Sequence, residues 1–262
     1  MLTNATGSDG ERFADLRGSD TIVGEMQILD DGGYAISDRF DIPGEGESNF
    51  VFARGWLVEI VEVEQGEYRF ISDGKEVSAA RRRFGVFYPP FSLIRTFVKD
   101  AKGTVRGVGA VERPAQLPTT PFIFETDFDS DFTAISEASE VLASARRRRS
   151  IEVNTSPSLI SLKAKRLIDE NYLIYPSISR IAARMKVSPE HLSRQFKRDL
   201  GISPSSYLHQ LRVADATFRL SVGEEIIDIS HEVGYNDLSR FYKQFRKSTR
   251  SSPAACRKIL SR

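Results

Sequence analysis

Ile178-Ser-Arg-Ile181-Ala182-Ala-Arg-Met-Lys186-Val187-Ser188-Pro189-Glu-His-Leu192-Ser-Arg-Gln-Phe196 and Ile226-Ile-Asp-Ile229-Ser230-His-Glu-Val-Gly234-Tyr-Asn-Asp-Leu-Ser-Arg-Phe241-Tyr-Lys-Gln-Phe245 spell one pattern twice. Ile178/Ile226 and Ile181/Ile229 stand 48 residues apart, whereas Leu192/Phe241 and Phe196/Phe245 stand 49 apart, so the second turn holds one extra residue. The pattern is a short helix, a tight turn and a second helix. Two such units about 50 residues apart are what a double helix-turn-helix reader of duplex DNA requires.

Within the first copy, Ile178, Ile181 and Ala182 form one apolar stripe at i, i+3, i+4, and the small Ala182 lets a second helix cross closely. Ser188-Pro189 then opens the next helix, since a serine oxygen can accept an orphan N–H and proline suits the first helical position. Leu192 and Phe196 face inward, which leaves Glu190, Ser193, Arg194 and Lys197 on the outer face. In the second copy Phe241 and Phe245 are the inward pair, and Ser239, Arg240, Lys243 and Gln244 point out. Gly234 supplies the turn residue that tolerates positive φ. Leu238 is spaced both as a core residue with Phe241 and Phe245 and as a candidate contact for a thymine methyl. Glu190 either accepts from cytosine N4 or simply favours its helix N-terminus.

Together with Gly201-x-Ser203-Pro204-x-x-Tyr207, Leu211-Arg212, Gly234-Tyr-x-Asp237 and Ser252-Pro253-x-x-x-Arg257, these residues resemble the AraC/XylS transcription regulators over residues 160–260. The resemblance implies sequence-specific DNA binding and transcription regulation, with base- or phosphate-facing roles for Glu190, Ser193, Arg194, Lys197, Leu238, Ser239, Arg240, Lys243 and Gln244. It also implies a cupin-like barrel in the N-terminal half. Lys186 stands where the family's first turn often has Gly; Ser230 replaces a usual Ala; Thr249, Arg250 and Cys256 replace Phe, Gly and Tyr.

Net charge is +1, but it is unevenly spread. Ser156–Arg262 carries 19 Lys and Arg against 10 Asp and Glu, and the preceding 155 residues carry 18 against 26. The basic half is the half with the duplicated motif, as binding to a polyanion by counterion release needs. No run approaches the ~20 apolar residues of a membrane span. The start, Met1-Leu-Thr-Asn-Ala-Thr-Gly-Ser-Asp-Gly, lacks a signal-peptide pattern and reads as a loose tail. The single cysteine, Cys256, excludes an internal disulfide and fits a reducing cytoplasm.

From Thr21 to Ala110 the signals are short strands. They include Trp56–Glu64, half-buried by its alternation; a turn at Gln65-Gly66-Glu67; Tyr68–Ile71; a hairpin at Ser72-Asp73-Gly74-Lys75; Phe84–Tyr88 stopped by Pro89-Pro90; Ser92–Val98; and a turn at Asp100–Gly103. A sandwich or small barrel is expected. Phe50, Phe52, Trp56, Tyr68, Phe70, Phe84, Phe87 and Phe91 either line a pocket for a small apolar effector or form the core. The only histidines, His191, His209 and His231, lie in the C-terminal half, so the barrel has no imidazole cluster for a metal and no cofactor is expected. Asp127, Asp129 and Asp131 read as a solvated linker, because a calcium loop's Gly and closing Glu are missing.

Arg81–Arg83 reads as a solvated strand edge. Leu117–Pro121 marks the exit from the β domain, and Phe132, Ile135, Ala138, Val141, Leu142 and Ala145 form a helical stripe packing on its own barrel or on a second subunit. Arg146–Arg149 ends that helix with cations, or touches DNA phosphates.

The expected fold is α+β: a β-rich cupin-like barrel or sandwich over 1–125, a helical segment and linker over 126–157, and an all-α double helix-turn-helix domain over 158–262. The implied partners are double-stranded DNA, a second copy of the chain through the N-terminal half, RNA polymerase if the protein activates, and no membrane. Two other classes compete: an alkyl-transfer repair enzyme with Cys256 as acceptor, and a co-regulator using the basic module on another protein.

Overall fold

The computed structural model describes residues 22–31, 33–51, 55–72, 75–78, 82–110, 121–150, 157–174, 177–249 and 251–260. The tail at 1–21, Asp73-Gly74, Arg81, Phe52, 111–120 and the linker residues 151–156 lie outside the described residues. Two compact units result, one containing every strand and the first described helix, the other containing the seven helices from Leu159 onward.

The first unit is one antiparallel sheet of eight strands: β1 (Ile22–Ile28), β2 (Tyr34–Val51), β3 (Trp56–Ser72), β4 (Lys75–Ser78), β5 (Arg83–Tyr88), β6 (Leu93–Ala110), β7 (Phe122–Glu125) and β8 (Arg146–Ser150). Pairing runs β1-β2-β6-β3-β5-β7-β8, with β4 added to β3. The two turns expected at Gln65–Glu67 and Asp100–Gly103 are not there: β3 and β6 run straight through them. What looked like turn chemistry is bulge chemistry. Gly44, Gly66 and Asp100 all have positive φ (77°, 76° and 46°), and the ladder register shifts beside Gly44 and Gly66. Some bulges hold a residue in the left-handed region, as some tight turns do, and glycine takes that conformation without steric cost. The three lie at one level of the sheet, with Gly44 N–H donating to Asp100 Oδ1 at 2.8 Å. A Cβ on Gly66 would come within 2.1 Å of Asp100 O, so only glycine fits.

The bulges fold the long strands back on themselves. Leu57, near the start of β3, pairs with Tyr88, yet Phe70, near its end, packs edge-on to the same Tyr88 with centroids 6.2 Å apart. Straight β geometry would separate Leu57 and Phe70 by roughly 40 Å. One strand therefore serves both layers of a sandwich, and between the layers lie Phe40, Leu57, Val61, Phe70, Phe84 and Tyr88. Trp56, Val58 and Ile60 point the other way, into a second cluster under helix α1 (Ile135–Ser144). The first half of β3 is thus buried on both faces, not half-buried as its alternation suggested. Trp56, Phe70, Phe84 and Phe87 are packed as core.

Helix α1 covers its own sheet with Ala138, Val141 and Leu142, joined by Phe132 just before it. Its start is fixed by Glu137, whose Oε2 accepts the N–H of Thr133 at 2.6 Å, and by Asp31, whose Oδ2 accepts the N–H of Ile135 at 2.6 Å. Arg146–Arg149 does not end the helix but forms β8, paired with β7. Segment 126–150 accordingly contributes a helix and a strand to the β unit. Arg83 pairs with Glu62 of β3 but lies beyond the β5–β7 register, and its side chain is engaged, bridging Glu62 (2.8 Å) and Asp129 (2.9 Å). Asp129, expected as free linker, also accepts from Arg106.

The second unit is all helical: α2 (Leu159–Asn171), α3 (Ile178–Arg184), α4 (Pro189–Leu200), α5 (Pro204–Ser221), α6 (Ile226–Glu232), α7 (Leu238–Thr249) and α8 (Pro253–Leu260). No helix among the described residues is long and apolar enough to cross a membrane. The fold class is α+β, an antiparallel β region followed by a helical part with two helix-turn-helix motifs.

Candidate nucleic-acid interface

The duplication in the sequence becomes a duplication of backbone. Helices α3 and α6 have seven residues each, α4 and α7 twelve each, and the intervening turns are 185–188 and 233–237. Both first helices end through the same bonds: Val187 N–H to Ala182 O (3.1 Å) and Tyr235 N–H to Ser230 O (2.9 Å). This closure places one residue in the left-handed region. That residue is Lys186 (φ 56°) in one turn and Gly234 (φ 87°) in the other, so Lys186 adopts the glycine conformation despite its Cβ.

Each recognition helix then starts on a cap. Ser188 Oγ accepts the His191 N–H at 3.1 Å, with Pro189 at the first helical position. Asp237 Oδ1 takes the same part in the second copy, accepting from Ser239 N–H at 2.8 Å. The inward pairs are completely buried: Leu192 with Phe196, and Phe241 with Phe245. Phe196 meets Tyr207 of α5 at 5.8 Å, and Phe241 meets Tyr235 and Phe245 at 5.5 and 5.6 Å.

Of the departures in this half, Ser230, Thr249 and Cys256 are accommodated by hydrogen bonding or burial, and Arg250 lies outside the described residues. Ser230 is buried and its hydroxyl donates to Ile227 O at 2.8 Å. Thr249 caps the end of α7, its hydroxyl 2.9 Å from Phe245 O and accepting from Ser251 N–H. Cys256 is buried in α8, which packs on α5.

Of the predicted contact residues, Glu190, Arg194, Lys197, Ser239, Arg240 and Lys243 are exposed, Ser193 and Gln244 are half-buried, and Leu238 is 39% exposed. Leu238 opens α7 on the surface and does not join the Phe241–Phe245 core. Among the described residues, Arg194, Lys197, Arg240 and Lys243 make no ion pair. The inner cations contrast with them. Lys165 pairs with Asp169, Arg219 with Asp215, Glu224 and Glu232, and Arg257 with Glu225. These three inner cations are neutralised by carboxylates, whereas Arg194, Lys197, Arg240 and Lys243 are left to solvent or a polyanion.

The two faces differ in charge. Helix α4 carries Arg194, Lys197 and Arg198 with Glu190 and Asp199, whereas α7 carries Arg240, Lys243, Arg246 and Lys247 and no acid. Arg246 and Lys247 are exposed on α7 but were not singled out from sequence.

Sequence reasoning also missed two polar joints. Asp199, at the end of α4, accepts from Ser158 N–H (2.9 Å), Ser158 Oγ (2.6 Å), Ser161 Oγ (2.8 Å) and Gln195 Nε2 (2.9 Å). It therefore fastens the start of α2 to the first recognition helix. Partial burial raises its affinity for a proton, but these donors outweigh that and hold the carboxyl far below the ordinary range. Its contribution is complete above the usual carboxylate pKa and is lost only as pH falls well below it. Asp199→Ala is expected to cost about 1–3 kcal/mol by stranding these donors. Thermal melts at pH 7 check this: a loss of less than ~2 °C would show that Ser158 and Ser161 find other partners.

The second joint surrounds His209, whose ring stacks on Tyr235 and lies 2.9 Å from its hydroxyl through Nδ1. Burial, then the nearby Arg212, Arg240 and Lys247, lowers His209 to about 4, so it is neutral at physiological pH. Among the described residues no group of three or more His, Cys, Asp or Glu could hold a metal ion.

This geometry defines a double helix-turn-helix domain, and residues 181–259 match the family model described as a helix-turn-helix domain. The chain is 32% identical over 91 residues to the HTH-type transcriptional activator RhaS of Pectobacterium carotovorum, covering 34% of this chain and 33% of that protein. It is 33% identical over 92 residues to the arabinose operon regulatory protein of Escherichia coli, covering 35% and 30%. The solved C-terminal domain of AraT from Geobacillus stearothermophilus aligns with 30% identity and a TM-score of 0.37, over 40% of this chain and 88% of that one. The chain spans about a third of the length of the curated relatives it matches. Its C-terminal unit is an AraC-type helix-turn-helix domain.

Proposed function

We propose that the protein is a sequence-specific DNA-binding transcription regulator whose helices α4 and α7 enter successive major grooves on one face of the duplex. The observation that carries this reading is the concentration of cations on the outer faces of the two matched helices: among the described residues Arg194, Lys197, Arg240, Lys243, Arg246 and Lys247 make no ion pair, and α7 carries no acid. Lys197, Lys243, Arg246 and Lys247 supply phosphate contacts, and Glu190, Ser193, Arg194, Leu238, Ser239, Arg240 and Gln244 face base edges. The β-rich unit serves dimerisation and the sensing of a small apolar effector, and RNA polymerase is the further partner if the outcome is activation. Such a protein works in the cytoplasm, where its DNA is.

Selection of fragments bound by the full chain from random duplexes tests the reading. Enrichment of two short motifs about one helical turn apart is expected; equal retention of all sequences would sink it. Arg194→Ala should reduce discrimination at one or two base pairs by ~1–3 kcal/mol while leaving other positions unchanged. An unaltered preference profile in the same selection removes Arg194 from the readout.

An alkyl-transfer enzyme would need Cys256 as acceptor. That thiol is completely buried, and burial pushes it up to about 12, so it remains protonated and a poor nucleophile.

A further inference from the structure

The two readers meet at a joint spanned by one side chain. Arg212, midway along α5, is only 3% exposed. Its Nε donates to Tyr172 O at 2.7 Å and its Nη1 donates to Gly234 O at 2.8 Å. Tyr172 closes α2, the support helix of the first reader, and Gly234 is the left-handed turn residue of the second. A Cβ on Gly234 would lie 2.6 Å from Leu173 O and 2.7 Å from Arg212 Nη2, so the two turns touch through backbone.

The surroundings hold the guanidinium in place. It lies 5.3 Å from the centroid of the Tyr235 ring, itself buried and stacked on His209. Tyr172 is anchored independently, its hydroxyl donating to Asp215 Oδ2 at 2.9 Å one turn along α5. A planar guanidinium has fixed donor directions, so binding one carbonyl with Nε and another with Nη1 sets the separation and the angle of the two segments. In a buried site no water replaces a lost bond.

We propose that Arg212 is the positioning residue that fixes the second recognition helix in distance and rotation relative to the first, and so confines the protein to one half-site spacing. This rests on the DNA-reading function above. Arg212 acts through the carbonyls of Tyr172 and Gly234. One added base pair between half-sites turns the second by about 35° and moves it ~3.4 Å, which a rigid pair of readers cannot follow.

The test uses the full chain and the duplex obtained by selection, the same duplex with one or two base pairs inserted between half-sites, and a duplex bearing one half-site. For the unaltered protein, two inserted base pairs are expected to weaken binding about 100-fold, as each mispositioned contact loses its base pair's discrimination. In Arg212→Lys and Arg212→Gln the same insertion should cost less than ~10-fold, with single half-site affinity per active molecule within about threefold of the unaltered chain. A purely structural role would lower the active fraction and leave the spacing penalty intact. An equal penalty in the variants, or tolerance of insertions by the unaltered protein, overturns the role of Arg212. Failure of the unaltered protein to prefer any duplex overturns the DNA reading instead. If the variants do not fold, spin labels at Lys197→Cys and Lys247→Cys report the free protein directly, since the single native cysteine is buried. One narrow inter-label distance is expected, and a broad or two-peaked distribution overturns the proposal.

Discussion

Replacing Arg240, Lys243, Arg246 and Lys247 together with alanine is expected to make the plot of log affinity against log salt shallower by about 3, one for each of the phosphate contacts of Lys243, Arg246 and Lys247, and to weaken binding on the order of 100-fold at moderate salt. Each cation that neutralises a phosphate releases roughly one condensed counterion, so the slope counts contacts independently of base readout. All four lie on α7, which has no acidic residue. Replacing Arg194 and Lys197 should change the slope by only about 1, because Lys197 alone of the two is assigned to a phosphate. Fluorescence anisotropy between 50 and 300 mM salt distinguishes the cases. A slope unmoved by the fourfold change would mean that α7 does not lie along the phosphate backbone. A flat slope for the unaltered chain would favour a protein partner for this basic module.

Phe241→Ala should be the most damaging single change in the second reader, destabilising the helical unit by about 3–5 kcal/mol. Phe241 is completely buried and is the hub of an aromatic group with Tyr235, Tyr242 and Phe245. Domain stabilities are commonly ~5–15 kcal/mol, so the loss is a large fraction of the whole. Denaturant melts followed by helical circular dichroism measure it. The midpoint should fall with DNA affinity, whereas the fourfold surface variant should lose affinity and keep its midpoint. A Phe241→Ala midpoint within error of the unaltered protein would show that the pocket collapses to fill the space.

The helical half was legible because its signals are local. The i, i+3, i+4 spacing of Ile178, Ile181 and Ala182, the Ser188-Pro189 start and the 48-to-49 step in the repeat each reflect contacts within about one turn of chain, and each corresponds to a described element or cap. Arg212 and Asp199 were not legible as joints. In sequence each is one more charged residue on an amphipathic helix, and their partners lie 40 and 41 residues away in Tyr172 and Ser158. In the β half, the turn residues at Gln65–Glu67 and Asp100–Gly103 do mark positive φ, at Gly66 and Asp100, and the error lay in taking turn chemistry to mean a reversal of the chain. Whether such a residue ends a strand or bends it depends on the neighbouring strand, which sequence does not display. The β strand at Arg146–Ser150 was missed for a related reason: four consecutive arginines have no alternation to mark a strand, and only pairing with β7 defines it.

The row of bulges at Gly44, Gly66 and Asp100 has a consequence for how the β unit comes apart. Because β2, β3 and β6 each continue through that row, neither layer of the sandwich owns a complete set of strands. Peeling one layer away strips hydrogen-bonded partners from the same chains that build the other, so partial opening carries nearly the whole cost of melting. A unit made in this way is all-or-none by construction, and any stiffening or loosening at one end of a long strand is felt at the opposite end.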